Sequence, residues 1–383
     1  MTPMSETTTR RDFTRTAGTA AAVGWTILQP GSVHGTPANS AVKLGVIGPG
    51  RRGQAITRLF LKDAGLQVTA LCDIYDNQLA EAKAKIPAPA ANTYKTPQAL
   101  LDSGVDAVYI ATPPYLHPEH FEMAVAAKKH IFLEKPVGVD PAGVRRFLAA
   151  ARRAGPDLMI LVDYQQRFGT DYKKAYQTVQ SGEIGAVKMI RASWLGGDLP
   201  RRSGHPASEE KVRNWLFYKE LGGDIIVEQN CHNIDVFNWF VGKHPVSAMG
   251  YGGRQVRTDI GNIMDHLALT YRFEDGRIFS YSANQFSKGG FQHVAETFIG
   301  EKGAIETSRR GYTLWNGGAE PVRATTSYDI TLDGVKHFLA GVRGEVPKEN
   351  LAFAAADSTF TAIMGRVAIE SGKEAKWDEV IRM

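Results

Sequence analysis

The chain has 383 residues, of which 43% are hydrophobic and 22% charged, with a formal net charge of +5. That length suits two domains, and the composition is ordinary for a globular protein. The mild charge, with no long Lys or Arg block, argues against a nucleic-acid partner. No apolar run is long enough to span a bilayer. The two cysteines, Cys72 and Cys231, fall in different elements. They suggest neither a disulfide framework nor a cysteine metal site, and both read as free and mostly buried.

Residues 1–41 differ from the rest. Thr9-Arg10-Arg11-Asp12-Phe13 precedes a weakly apolar stretch from Thr16 to Leu28, and then come Pro30, Gly31 and Pro37. A charged start, a short apolar middle and a small-residue exit form the layout of a removable targeting segment. The arginine pair resembles the twin-arginine export signal. The expectation is periplasmic export with no stable membrane insertion after processing. Ala38 and Ser40 both suit the cleavage point.

From Val42 short apolar runs alternate with helical patterns. Strands are predicted at Val42–Ile47, Leu66–Cys72, Val105–Ala111, His130–Leu133 and Leu158–Val162. Helices are predicted at Arg51–Lys62, Asn77–Lys85, His117–Ala127 and Pro141–Ala154. This alternation means βαβ units: a Rossmann-type, doubly wound parallel sheet over residues 42–162. From residue 163 the character changes. A helix near Asp171–Gln180 precedes strand-like runs at Val187–Trp194, Met264–Phe273, Ile278–Ala283 and His293–Ile299, with an Asp275-Gly276 hairpin signal. Helical patterns return at Val335–Val342 and Leu351–Ile369. The expected fold class is therefore α/β. Its second domain, residues 163–383, is α+β with a large, mostly antiparallel sheet, and its last helices are candidates to pack back on the first.

Gly48-Pro49-Gly50-Arg51-Arg52-Gly53 lies between the first strand and the first helix. Gly48 suits the tight turn, Gly50 lets backbone approach a pyrophosphate, and Gly53 lets the helix pack on the strand. The amides at the start of that helix, around Arg51 and Arg52, then face the phosphates. Asp73 ends the next strand, where an acid hydrogen-bonds the adenosine ribose and repels a 2′-phosphate. The cofactor expected is NAD rather than NADP. Thr112, Pro113 and His117 leave the carboxyl end of another strand, on the ligand edge of an open α/β sheet. For His117, an ordinary helix-start role and a cofactor role weigh equally.

Glu134-Lys135-Pro136 ends a further strand. Lysine at a strand end is usually just solvated. Here Lys135 is a candidate to steady a developing alkoxide, with Glu134 pairing a neighbour and holding the strand edge. The segment Gly222–Phe240 reads as one helix, with Glu228, His232 and Asp235 on one stripe. His232 is a candidate general base, which Glu228 and Asp235 would orient. A metal site on the same three residues is the lesser reading, because no His or Cys cluster supplies the other ligands.

These residues together resemble the glucose–fructose oxidoreductase / inositol dehydrogenase / MocA family over nearly the whole chain from Val42. The resemblance rests on the glycine loop, on Ala111-Thr112-Pro113 with His117, and on Lys129 to Pro136. It implies that Lys135 and His232 are catalytic. It also implies that Arg167, in Tyr164-Gln165-Gln166-Arg167-Phe168, lies near cofactor or substrate. The family usually has a third glycine where this chain has Asp224, and Asp where it has Glu228. Gly196–Glu220 resembles a family-variable loop, whose Arg201, Arg202, Trp215 and Tyr218 are candidates to contact a sugar or a neighbouring subunit.

The expected activity is hydride transfer between tightly held NAD and a sugar or cyclitol hydroxyl, in a homo-oligomer. Two rivals stand beside it. One is a redox-assisted glycosidase, in which transient oxidation permits elimination or hydrolysis before the hydride returns. The other is a non-catalytic NAD-binding sensor.

Overall fold

The computed structural model describes residues 41–383. The arginine pair and the apolar stretch expected to direct export lie outside the described residues.

Parallel strands β1 (Val42–Ile47), β2 (Leu66–Cys72), β3 (Asn92–Tyr94), β4 (Ala107–Ile110), β5 (His130–Leu133) and β6 (Ile160–Val162) form a sheet in the order β3-β2-β1-β4-β5-β6. Between them run α1 (Arg51–Phe60), α2 (Asp76–Lys85), α3 (Pro97–Leu101), α4 (His117–Ala126) and α5 (Pro141–Arg153). Every residue of β4 is buried, as expected of a central parallel strand covered on both faces. The strand order reverses between β1 and β4, so the loops beyond their carboxyl ends diverge and leave a crevice. The glycine loop follows β1 and Ala111–His117 follows β4, which places both on that crevice.

The second sheet has nine strands. These are β7 (Val187–Gly196), β8 (Ser247–Gly253), β9 (His266–Arg272), β10 (Ile278–Gln285), β11 (His293–Gly300), β12 (Ala304–Ser308), β13 (Gly311–Trp315), β14 (Val322–Thr325) and β15 (Ala375–Lys376). Their order is β14-β13-β12-β11-β7-β10-β9-β8-β15, antiparallel except where β7 meets β10. The expected α/β class, with a mostly antiparallel second sheet, is borne out.

Side chains alternate across this sheet with period two. Tyr271, Phe279, Ile190, Phe298, Ile305 and Leu314 are register partners across six strands, and all are buried. That row packs toward the helices α6 (Thr170–Gln180), α7 (Ile225–Glu228) and α8 (Cys231–Val241). The other face carries exposed Met249, Tyr251 and Ile278.

Two late helices, α9 (Thr331–Arg343) and α10 (Ala352–Ser371), return to the first half. Phe338 on α9 meets Phe60 and Phe132 edge-on, at centroid distances of 6.0 and 5.5 Å. Arg343 pairs with Asp63 at 2.6 Å. On α10, Arg366 donates to the carbonyls of Val139 and Gly223. These contacts hold the two sheets against one another.

Gly222–Phe240 is not one helix. Asp224 has φ 77° and ψ 167°, a region that is almost exclusive to glycine. Its carboxylate accepts from the amides of Ile225 (2.7 Å) and Met264 (3.0 Å), which caps α7 and ties it to the neck of β9. A second break at Gln229–Asn230 separates α7 from α8. So Asp224 keeps the backbone shape that glycine would give and adds a cap.

Burial pushes the Asp224 carboxyl up to about 6 from an ordinary 3.8. A raised folded pKa gives stability that is complete below 3.8 and lost as pH rises through 6. Asp224→Asn keeps the acceptor and, being the same size and shape, adds no backbone strain to that already borne at φ 77°. It is expected to raise stability at pH 8 by about 3 kcal/mol, seen as a higher thermal midpoint, and to leave the midpoint unchanged at pH 4. Melting curves at the two pH values check this.

Candidate active site

The glycine loop and the post-β4 loop touch. At Gly48 (φ 83°) a Cβ would come within 2.8 Å of the Ala111 and Thr112 backbone, and at Gly53 it would collide with the Gly48 carbonyl. At Gly50 a Cβ would meet the Arg202 guanidinium alone, at 3.8 Å. The Gly50 backbone therefore faces open space, beside the unpaired first-turn amides of α1. This cradle fits a dinucleotide pyrophosphate.

Two cavities open from it. The smaller, about 350 Å³, is lined by Gly48, Gly50, Asp73, Tyr75, Thr112 and Pro113 among others. Asp73 stands at its wall and also accepts from the Tyr75 amide. Burial raises its pKa, against the pull of Arg213, Lys95 and Arg202. The larger cavity, about 1140 Å³, is lined by Gly50, Arg51, Arg52, Glu134, Lys135, Glu228 and His232, with Trp194 and Arg309. The glycine loop, the ammonium and the imidazole thus share one space.

Lys135 ends β5, and its Nζ donates to Glu228 Oε1 at 2.7 Å and to the Glu228 carbonyl. Burial alone would lower the Lys135 pKa. The Glu228 carboxylate outweighs it and holds the pKa above its ordinary value, so Lys135 is an ammonium. Glu134 is fully enclosed. It accepts from Arg52 Nε and Tyr109 Oη, both at 2.8 Å, while Arg52 also pairs with buried Asp163. Burial opposes ionisation of both acids. Arg52 and Lys135 hold the Glu134 pKa below the usual carboxylate range, whereas burial and Glu134 raise that of Asp163. Glu134 is thus the more acidic member and Asp163 the one that holds its proton more tightly.

His232 sits in the first turn of α8. Trp194 stacks on its ring (5.8 Å, 18°) and Tyr164 meets it edge-on (6.0 Å, 86°). Its Nδ1 is buried without a partner. Burial, then Arg309, Lys135 and Arg52, lower its pKa well below 6.5. The imidazole is therefore neutral, as a proton acceptor must be.

Three expectations need correction. Neither Glu228 nor Asp235 orients His232. The helix break turns Glu228 onto Lys135, and Asp235 is taken by Arg167 (2.8 Å, both oxygens) and by Ser358. Arg167 consequently faces Asp235 rather than the cavity. His117 is fully buried and braces two loops, its ring nitrogens meeting the carbonyls of Pro136 (2.6 Å) and Thr112 (2.8 Å). Its pKa is lowered, chiefly by burial, and while bracing the two loops it also lines the larger cavity.

In the variable loop, Arg201, Arg202 and Trp215 line the larger cavity, and Tyr218 does not. Trp194 and Arg309 were missed, since a tryptophan ending a strand and an arginine in a hairpin turn carry no sequence signal of a site. Among the described residues, no cluster of three or more His, Cys, Asp or Glu is placed to hold a metal ion.

Comparisons with known proteins agree with this geometry. The model of the oxidoreductase family with an NAD-binding Rossmann fold matches residues 42–162, and that of the GFO/IDH/MocA C-terminal domain matches residues 172–306. The chain belongs to the GFO/IDH/MocA oxidoreductase family, and its cofactor is NAD. A myo-inositol 2-dehydrogenase of Thermotoga maritima is 27% identical over 363 residues, covering 89% of this chain and all of that one. An inositol 2-dehydrogenase of Paracoccus denitrificans is 36% identical over 209 residues, covering 54% of this chain and 56% of that one. A scyllo-inositol dehydrogenase from Lactobacillus casei, solved with NAD(H) and scyllo-inositol, superimposes with a TM-score of 0.71 at 22% identity, covering 88% of this chain and 99% of that one.

The Arg167–Asp235 pair tests the corrected assignment. Arg167→Leu leaves the fully buried Asp235 carboxylate without its cation, so unfolding should be easier by about 3–5 kcal/mol. The urea midpoint measures this.

Proposed function

We propose that this protein oxidises a secondary hydroxyl of a sugar or cyclitol, with His232 as general base and Lys135 as the group that steadies the oxygen. The observation that carries the reading is one cavity lined by the glycine loop, Lys135 and His232 together. The names of the inositol dehydrogenase relatives support the substrate class. Bound at the cradle, NAD supplies the hydride acceptor.

The residues then divide the work. Neutral His232 takes the hydroxyl proton. The Lys135 ammonium, held by Glu228, donates a hydrogen bond to the same oxygen and stabilises the negative charge that grows there. Arg52, fixed between Glu134 and Asp163, holds the strand edge from which Lys135 projects. Trp194 and Tyr164 keep the imidazole from rotating.

Two wider features belong to the same proposal. The sequence of residues 1–41 supports export by the twin-arginine route, and an exported enzyme would have to keep its NAD. The open face of the second sheet supports a homo-oligomer, because Met249 and Tyr251 are 49% and 73% exposed on adjacent outward positions of β8.

His232→Ala and Lys135→Met should each lower kcat for NAD-linked polyol oxidation by roughly 10²–10⁴-fold. The NAD content of the purified protein, read at 260 nm after denaturation, should be unchanged. Near-normal turnover in either variant would remove that residue from the mechanism.

The pH profile gives a separate check. A depressed His232 pKa keeps the base unprotonated down to mildly acid pH. The acid limb of kcat/KM should therefore have its midpoint below pH 6.5, with a plateau from there to pH 8. A midpoint above 7 would rule out His232 as the base.

A further inference from the structure

Arg309 lies in the hairpin turn between β12 and β13, and it lines the larger cavity beside Trp194 and His232. Its guanidinium rests over the Trp194 ring at 5.2 Å, and the His232 ring also stacks on Trp194. Its Nε is buried with no hydrogen-bond partner. Among the described residues no carboxylate lies within ion-pair distance of it, and its side chain donates no hydrogen bond.

The other cations of this cavity are either committed or exposed. Arg52 holds Glu134 and Asp163, Lys135 holds Glu228, Lys85 holds Glu81, Arg201 holds Asp259 and Arg213 holds Glu209. Arg202 donates to Gln78, and Arg51 and Arg58 are exposed.

The acid facing Arg309 from β11 is Glu296. Its oxygens already accept from Asn233, Tyr172 and Thr307, and burial pushes it up to about 7. Glu296 therefore supplies at most part of a counter-charge. A half-buried guanidinium without a partner is costly, and such a cost is sustained where a ligand supplies the missing anion. The pyrophosphate of the cofactor belongs at the glycine loop, whereas Arg309 comes from the opposite sheet, next to the base.

We propose that Arg309 receives a carboxylate of the substrate, so that the hydroxyl oxidised at His232 belongs to a sugar acid or cyclitol acid rather than to a neutral polyol. This rests on the dehydrogenase reading and narrows its substrate. The planar guanidinium, set over Trp194 at 5.2 Å, has a two-toothed donor edge of the kind that matches one carboxylate. A phosphate monoester brings close to two charges, and the other lining cations without an ion pair, Arg51, Arg58 and Arg202, stand toward the glycine-loop end rather than beside Trp194. Anion binding also acts on the base. Neutralising Arg309 removes a positive charge from beside His232 and strengthens it as a proton acceptor while substrate is bound.

The test is binding to the NAD-loaded protein by titration calorimetry. D-glucuronate, D-galacturonate and D-mannuronate are each compared with the corresponding uronamide, and D-glucose 6-phosphate is run beside them. At least one uronate should bind tenfold or more tighter than its amide. Arg309→Gln should bring that ratio to about one, and Arg309→Lys should restore only part of it, with melting curves showing that both variants fold. The proposal is overturned if no uronate outbinds its amide, if the preference survives in Arg309→Gln, or if the phosphate binds more tightly than every uronate. NADH formation at 340 nm is recorded separately. A uronate that binds through Arg309 without forming NADH supports this inference and counts against the dehydrogenase reading. NADH formed without any preference for the acid does the reverse.

Discussion

A buried ammonium needs a counter-charge, and Lys135 finds its own on the other half of the chain. Burial opposes the charge, and the Glu228 carboxylate at 2.7 Å more than compensates. Glu228 belongs to α7, which reaches Lys135 only because the second sheet and its helices dock on the first. The active cavity is thus a property of the assembled molecule. Burial, and after it positive charge, set the state of His232. Desolvation first, then Arg309, Lys135 and Arg52, disfavour its protonation. In the proposed mechanism, one arrangement of cations therefore serves both the proton acceptor and the oxyanion beside it.

The fold delivers these groups by two independent rules. In the parallel sheet, reversal of strand order places the glycine loop and the post-β4 loop on one crevice, and Lys135 ends the neighbouring strand on the same edge. In the antiparallel sheet, alternation puts Trp194 on the face that carries Ile190 and Ala192, the face covered by α8. Trp194 is the last inward residue of that series before β7 ends, which sets it against His232 at the cavity rather than in the core. Asp224 marks where the two rules meet. Its glycine-like backbone starts α7 abruptly, and the next break re-aims the chain into α8.

The strands of the first sheet were legible because each is a continuous apolar run with a helix pattern after it. The glycine loop gained meaning from the same context. Asn92–Tyr94 and Pro97–Leu101 escaped because they are so short, and β12 to β14 because strands of five residues or fewer carry too little alternation to read. The one substantive error came from periodicity itself. A stripe of Glu228, His232 and Asp235 presumes an unbroken helix, and the chain breaks it at Gln229–Asn230. The pairing of Arg167 with Asp235 joins positions 68 apart, beyond anything spacing can report. Arg309 and Arg310 are indistinguishable neighbours in the sequence. In the fold one enters the cavity and the other is exposed, a difference decided by the turn between β12 and β13.

The variable loop connects the two cavities physically. Arg202, Arg213 and Trp215 line both of them, as do Gly50, Ala111 and Thr112. Arg213 lies flat on Tyr75 at 3.6 Å and reaches Asn77, while Arg202 reaches Gln78, so three contacts fasten this loop to the segment that follows Asp73. A group leaving the smaller cavity and one entering the larger therefore meet the same backbone. Cation–π contacts of this kind are each worth about 0.5–2 kcal/mol, and the loop also pairs with its own neighbours through Arg201–Asp259 and Arg213–Glu209. Loosening the loop to admit a bulky substrate must weaken the wall beside Asp73. In the proposed reading, the dinucleotide and the substrate thus meet one shared wall at Arg202, Arg213 and Trp215.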